Sequence, residues 1–286
     1  MKSGAWILGI AAFSLTGLGG ARAPAEEGEQ GGAASGKFAS RGISFEVADA
    51  YAFPAKASLG DDRVIAVAVS NAGFNEEFIS RYRDRRTLLD NYFKDDETAL
   101  VYFEFTLAGS YEGLSYDFES GNGCGYCGGG VTSTVRLAGG RLVGRLTLDD
   151  AGSERRFAID LDVPVAGEDF GRAQGAGGGE PGAAYLVYHR AVVAADAAAL
   201  RATSGENRIE TLASAEQAGQ GTAYLEWLKQ EHPATVRVTE GFVRGDRALL
   251  LIAGERSYGK VEGEAILVRE RGAWRIDDEM FELVLE

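Results

Sequence analysis

The chain has 286 residues and a formal charge of −14, with 43 acidic against 29 basic side chains, two cysteines and two histidines. That length suffices for two ordinary domains, each with its own core. An acidic surface repels phosphate backbones and anionic head groups, which argues against nucleic-acid and membrane-surface binding.

Residues 1–25, MKSGAWILGIAAFSLTGLGGARAPA, place Lys2 before an apolar run over 5–18, followed by small residues around Ala21, Ala23 and Ala25. They read as a secretory leader cut after Ala25, with an apolar run too short to span a bilayer. No cysteine lies near the cut, so a lipoprotein is not expected. The expectation is a periplasmic or secreted protein with no membrane span. The leader carries Lys2 and Arg22 and no acid, so its removal makes the remainder more acidic still. Residues 26–37 are polar and glycine-rich and read as a disordered tether.

From 38 to 166 the pattern is mostly period-two, the mark of strands. GISFEVADAYAF alternates Ile43, Phe45 and Val47, then Tyr51 and Phe53; RVIAVAVS (63–70) and ALVYFEFTL (99–107) are β-rich runs. Gly139-Gly140 divides TSTVRLAGGRLVGRLTL into a hairpin, and RRFAIDLDVPV closes the region with Pro164 at a strand end. Residues 75–93 read as one helix capped by Asn75, with Phe78, Tyr82, Leu88, Leu89 and Phe93 near helical spacing. The expectation is a mainly antiparallel β domain, a sandwich with one helical insertion.

Residues 167–181 read as a glycine-rich linker. A second α+β domain follows over 182–286: a helix over 183–200, further helix over 206–231 loosened by Gly219 and Gly221, then four strands near 235–243, 247–254, 260–269 and 273–285. Helices packed on a curved four-stranded antiparallel sheet are the expected architecture.

The segments AYLVYHRAVVAADAAALR, VTEGFVRGDRALLLIAG and GAWRIDDEMFEL carry an aromatic on the first helix (Tyr188), an Asp closing it (Asp196), Gly245-Asp246 at a hairpin and Trp274 in the last hairpin. In these features residues from about 181 to 286 resemble the nuclear transport factor two-like superfamily. Ala195 stands where that pattern usually has glycine. The resemblance implies a cone-shaped fold, a sheet wrapped on a long helix, and says nothing of residues 26–166. Some members are isomerases or dehydratases acting inside the cone, and others are exported modules without chemistry, so fold alone does not assign function. His189 and Glu279 are the two side chains placed near the cone's mouth as catalytic candidates. Tyr185, Tyr188, Trp227, Phe242 and Trp274 either line a ligand cavity or fill the core, the core being the plainer reading. Sheets of this kind often pair through their outer faces, which leaves a homodimer open.

Cys124 and Cys127 sit in GNGCGYCGGG. In an oxidising compartment an even cysteine count reads as a disulfide, here a clasp on a glycine-rich loop. A redox pair needs a thiol at a helix start, which CGYCGGG does not provide, and a metal site needs two more ligands. Tyr111, Tyr116 and Tyr126 crowd the same region and form a candidate partner surface. The arginines at 81, 83, 85 and 86 read as a solvated helix face, and Arg244-Gly245-Asp246 as hairpin chemistry. No phosphate-cradling glycine motif or nucleophile elbow occurs, and no cofactor or metal is expected.

Three readings of function follow. The first is non-catalytic binding of an envelope partner or small ligand. The second is an acid–base enzyme of isomerase, dehydratase or hydrolase type using the cone. The third is a thiol oxidoreductase working through Cys124 and Cys127.

Overall fold

A computed structural model describes residues 33–40, 43–93, 98–116, 127, 129–150 and 155–284. The chain begins with strands β1 (Ala33–Ser40), β2 (Ile43–Glu46), β3 (Asp49–Lys56) and β4 (Arg63–Ser70), then helices α1 (Glu76–Ile79) and α2 (Arg85–Tyr92). Strands β5 (Leu100–Thr106), β6 (Tyr111–Tyr116), β7 (Thr132–Ser133), β8 (Arg136–Ala138), β9 (Arg141–Asp150), β10 (Arg155–Pro164) and β11 (Arg172–Ala173) follow. Helices α3 (Gly179–Val193), α4 (Ala197–Thr203), α5 (Glu206–Gln217) and α6 (Gly221–Glu231) precede β12 (Thr235–Arg244), β13 (Arg247–Arg256), β14 (Gly259–Glu270) and β15 (Ala273–Leu283). The fold is α+β, with antiparallel sheets in both halves.

One sheet runs β2-β1-β10-β9, with β7 and β8 both on the far edge of β9; a second runs β3-β4-β5-β6. Phe38, Phe103, Phe105, Phe157, Ile159 and Leu142 fill the space between them. Phe38 lies 5.4–5.8 Å from the rings of Phe45, Tyr116 and Phe157, and burial of one such ring contributes about 2–3 kcal/mol. Strand β4 shows why the second sheet has two covered faces. Its Ile65, Val67 and Val69 point into this sandwich, while Ala66 and Ala68 point the other way into a second core. Alternation of branched and small residues thus marks burial on both sides rather than burial and exposure.

The third sheet runs β11-β12-β13-β14-β15. On one face Ala248, Leu250, Ile252, Ala265 and Leu267 meet Tyr185, Tyr188 and Val192 of α3 and Leu200 of α4. On the other, Leu249 and Ile266, flanked by Phe242, Leu251 and Met280, meet Phe53, Tyr82, Leu88 and Leu89 from the first half of the chain. Part of this outer face is therefore packed against the first half of the chain. Polar ties reinforce the seam: Arg81 to Asp277 at 3.0 Å, and the Tyr82 hydroxyl to Asp278 at 2.5 Å.

Several expected boundaries move. Residues 33–37 are not tether but part of β1, paired with β10 from Ala33 opposite Asp162 to Ala39 opposite Arg156. Gly36 makes this possible, because at φ +133 a Cβ would sit 2.0 Å from the Ala158 carbonyl oxygen. The helix expected over 75–93 is two helices, α1 capped by Asn75 and α2 by Asp84. The break arises because the Arg83 and Asp84 amides donate to the Glu264 carboxylate, at 2.8 and 3.0 Å, instead of to the preceding helical turn. The glycine-rich 167–181 stretch is pinned: Gly167 O accepts from Arg85, Gln174 N donates to Gly241 O, and β11 joins the sheet. The first helix of the second half stops at Val193. Ala195 then takes φ +52, and Asp196 caps α4 through the Ala198 and Ala199 amides. Among the described residues no helix is long and apolar enough to cross a membrane.

Candidate functional site

Beneath α3 lies a buried polar cluster assembled from four elements. Tyr185 and Tyr188 are one helical turn apart on the inward face of α3, and both are fully buried. Their hydroxyls donate to Glu279 of β15, Tyr185 to Oε2 at 3.2 Å and Tyr188 to Oε1 at 2.7 Å. Arg208 of α5 donates to the same Oε1 at 3.2 Å and also to the Tyr188 hydroxyl and the Asp277 carbonyl. His232, which ends α6, places Nδ1 3.5 Å from Glu279 Oε2, with its side chain 1% exposed. His189 of α3 meets it from outside, Nδ1 to His232 Nε2, at 2.9 Å.

Electrostatics fix the charge states here. Burial pushes the Glu279 carboxyl up, but Arg208, His232 and Tyr188 together outweigh it and hold the group down at about 2. Burial raises both tyrosines well above the phenol range, with the Glu279 charge adding to it. Burial, then the neighbouring His232, lowers His189. The cluster is thus an ionised Glu279–Arg208 pair wrapped in neutral tyrosine hydroxyls. Among the described residues, the two tyrosines that would line a cone cavity are fully buried and bonded to Glu279 instead.

Open volume lies on the opposite face of the sheet. A cleft of about 640 Å³ runs between α2 with its lead-in, the end of β3, and the outer face of β12–β15. Phe53, Leu251 and Met280 give it apolar wall, while Arg83, Arg86 and Glu282 give it charge. Arg86 is held by Glu104 at 2.7 Å and lies 4.9 Å over the Tyr102 ring. Glu264 forms part of the lining; burial pushes its carboxyl up to about 7 against the two amides that pull it down. Glu282 is also raised, by burial and then by Asp84. A smaller hollow of about 500 Å³, lined by Arg81, Arg244, Arg247 and Phe170, lies on the same side of the sheet.

The structure brings His189, Glu279, Tyr185 and Tyr188 together and separates the other candidates from them. Trp227 is 53% exposed, its ring tilted against Tyr224 at 5.8 Å on α6. Phe242 faces the other side of the sheet, 6.1 Å from Phe170. Trp274 is half-buried against the α3 core, its Nε1 without a hydrogen-bond partner among the described residues. Tyr116 is core rather than surface, with its hydroxyl 2.8 Å from Ser40 Oγ. Tyr111 is half-buried, edge-on to Phe105. Tyr126 and Cys124 lie outside the described residues, and with them the expected pairing of the cysteines. Cys127 packs against the sandwich core and donates its amide to Leu114 O at 2.8 Å.

Arg208 and His232 were not singled out in the sequence as site residues. The usable signal was scarcity: the chain's only two histidines lie in the same half. Among the described residues no group of three or more His, Cys, Asp or Glu is placed to hold a metal ion. No protein-family model matches this sequence, and no curated protein matches it.

Proposed function

We propose that the protein is an exported, non-catalytic binding protein whose ligand is a small molecule with both charged and apolar parts, seated in the cleft between α2, β3 and the outer sheet face. The observation that carries this reading is where the space lies. The interior under α3 is packed with Tyr185, Tyr188 and the Glu279–Arg208 pair, whereas the cleft offers about 640 Å³ with converging polar groups on an apolar wall. Pockets of that size and mixed lining are the usual sites of small-molecule binding. Export rests on the leader over residues 1–25, and the cone-like second half remains part of the reading on the strength of its resemblance.

The test is to purify the mature protein from its own envelope and identify by mass spectrometry what stays bound. Ala253→Trp projects a large ring into the cleft and should abolish retention. Trp227→Ala, on the far side of the sheet, should leave it unchanged. Equal retention by a folded Ala253→Trp variant overturns the assignment.

A further inference from the structure

We propose that the molecule held in the cleft is an organic cation, a primary ammonium carried on a hydrocarbon chain. This inference rests on the cleft reading above and adds the chemistry of the occupant.

The outer sheet face presents two cross-strand rows to the cleft. In one, Leu251 of β13, Glu264 of β14 and Met280 of β15 lie side by side; in the other, two residues along each strand, stand Ala253, Glu262 and Glu282. All six line the cleft. Residues two apart share a face and lie about 7 Å apart along a strand, so an acidic row adjoins the apolar Leu251 and Met280. Glu262 and Glu282 are directly opposite each other, a pairing of like charges that destabilises a sheet. From the start of α2, the other wall, Asp84 comes within hydrogen-bond reach of Glu282, and Thr87 donates to it at 3.2 Å. Glu264 is 6% exposed; it accepts the Arg83 and Asp84 amides but, among the described residues, no cationic side chain.

Asp84, Glu262, Glu264 and Glu282 therefore gather at one part of the cleft, and among the described residues none of them forms an ion pair. The basic groups of the lining are engaged elsewhere: Lys56 with Asp61 and Arg63 with Glu168, both at 2.6 Å, Arg86 with Glu104 at 2.7 Å, and Arg83 loosely with Glu240 at 3.8 Å. Arg85 donates to the Tyr82 and Gly167 carbonyls. Burial first, and the Asp84 charge with it, pushes both Glu264 and Glu282 up; a bound cation would favour their ionised forms. An ammonium has three donors, enough to reach Glu262, Glu282 and Asp84 together. A hydrocarbon chain leading from it would lie on Leu251, Met280 and Phe53. These carboxylates are not placed to ligate a metal ion, and an anion would face all four of them.

The probe is n-octylammonium chloride, titrated by calorimetry into the mature full chain at pH 7 and low salt, with octanol and octanoate as neutral and anionic molecules of the same length. Octylammonium should bind at least about 10-fold more tightly than either, and its advantage should shrink as salt is raised. The double variant Glu262→Gln, Glu282→Gln should lose about 10-fold in octylammonium affinity and keep that for octanol. Because it removes an opposed like-charged pair, it should melt no lower than wild type, so the loss does not report unfolding. Ala253→Trp should abolish binding. Octanol or octanoate binding as tightly as octylammonium, and blocked by Ala253→Trp, overturns the cation and leaves the cleft standing. Octylammonium binding untouched by Ala253→Trp overturns the cleft and the cation together. Undetectable octylammonium binding at millimolar concentration, or undiminished affinity in the folded double variant, also overturns the proposal.

Discussion

Replacing Glu279 by glutamine removes the carboxylate shared by Arg208, Tyr185, Tyr188 and His232, leaving Arg208 only the looser Asp278 at 3.7 Å. Two routes give the size of the loss. The carboxyl sits at about 2 against an ordinary 4.5, and at about 1.4 kcal/mol per unit this corresponds to roughly 3 kcal/mol of stability. Removing one partner of a buried ion pair costs about 3–5 kcal/mol, because the other charge stays desolvated. For a chain of this size Tm should fall by roughly 6–15 °C. The sign with pH is fixed by the depressed value. The contribution is complete above the unfolded carboxyl's 4.5 and is lost as pH falls through about 2. Urea unfolding followed by tryptophan fluorescence should thus show a wide gap between wild type and Glu279→Gln at pH 7. The gap should narrow as pH is lowered from 4.5 toward 2, since the wild-type carboxyl becomes neutral as well. A gap below about 1 kcal/mol at pH 7, or one that does not change with pH, refutes the reasoning.

Glu264 should act in the opposite sense. Its folded value of about 7 is raised, so its favourable contribution is full below 4.5 and is lost as pH rises through 7. Wild type should lose roughly 3 kcal/mol from this group between pH 5 and pH 8, and Glu264→Gln, followed by the same urea melts, should lack that part of the profile. Gly36→Ala should cost about 2–4 kcal/mol, from the Ala158 carbonyl clash and a φ that alanine disfavours. Hydrogen exchange should then show the β1–β10 amides opening first, and unchanged protection there would refute the account.

Local pattern carried much of the architecture. RVIAVAVS is a strand with buried residues on both faces, and the four expected C-terminal strands occur as β12–β15 with boundaries shifted by at most two or three residues. Both expected and observed helices at 75–93 share the Asn75 cap, yet the break at 80–84 was not legible. Its cause is Glu264, some 180 residues away, taking the Arg83 and Asp84 amides. Strand β1 was hidden for a different reason. AASGK has the composition of a tether, and only pairing with β10 makes it a strand. The site follows the same division. His189 and Glu279 stood out by residue type, but Arg208 and His232 join them only when α3, α5, α6 and β15 converge. The cleft is still further from sequence, since its walls come from distant segments.

The large cleft opens along the line where residues 53–58 and 83–90 meet β12–β15. A molecule wedged there touches both parts of the chain at once, so its dissociation and the parting of those two layers are linked events. Tight occupancy would add to the shared core that already joins the early and late halves, so it should raise the temperature at which they melt together.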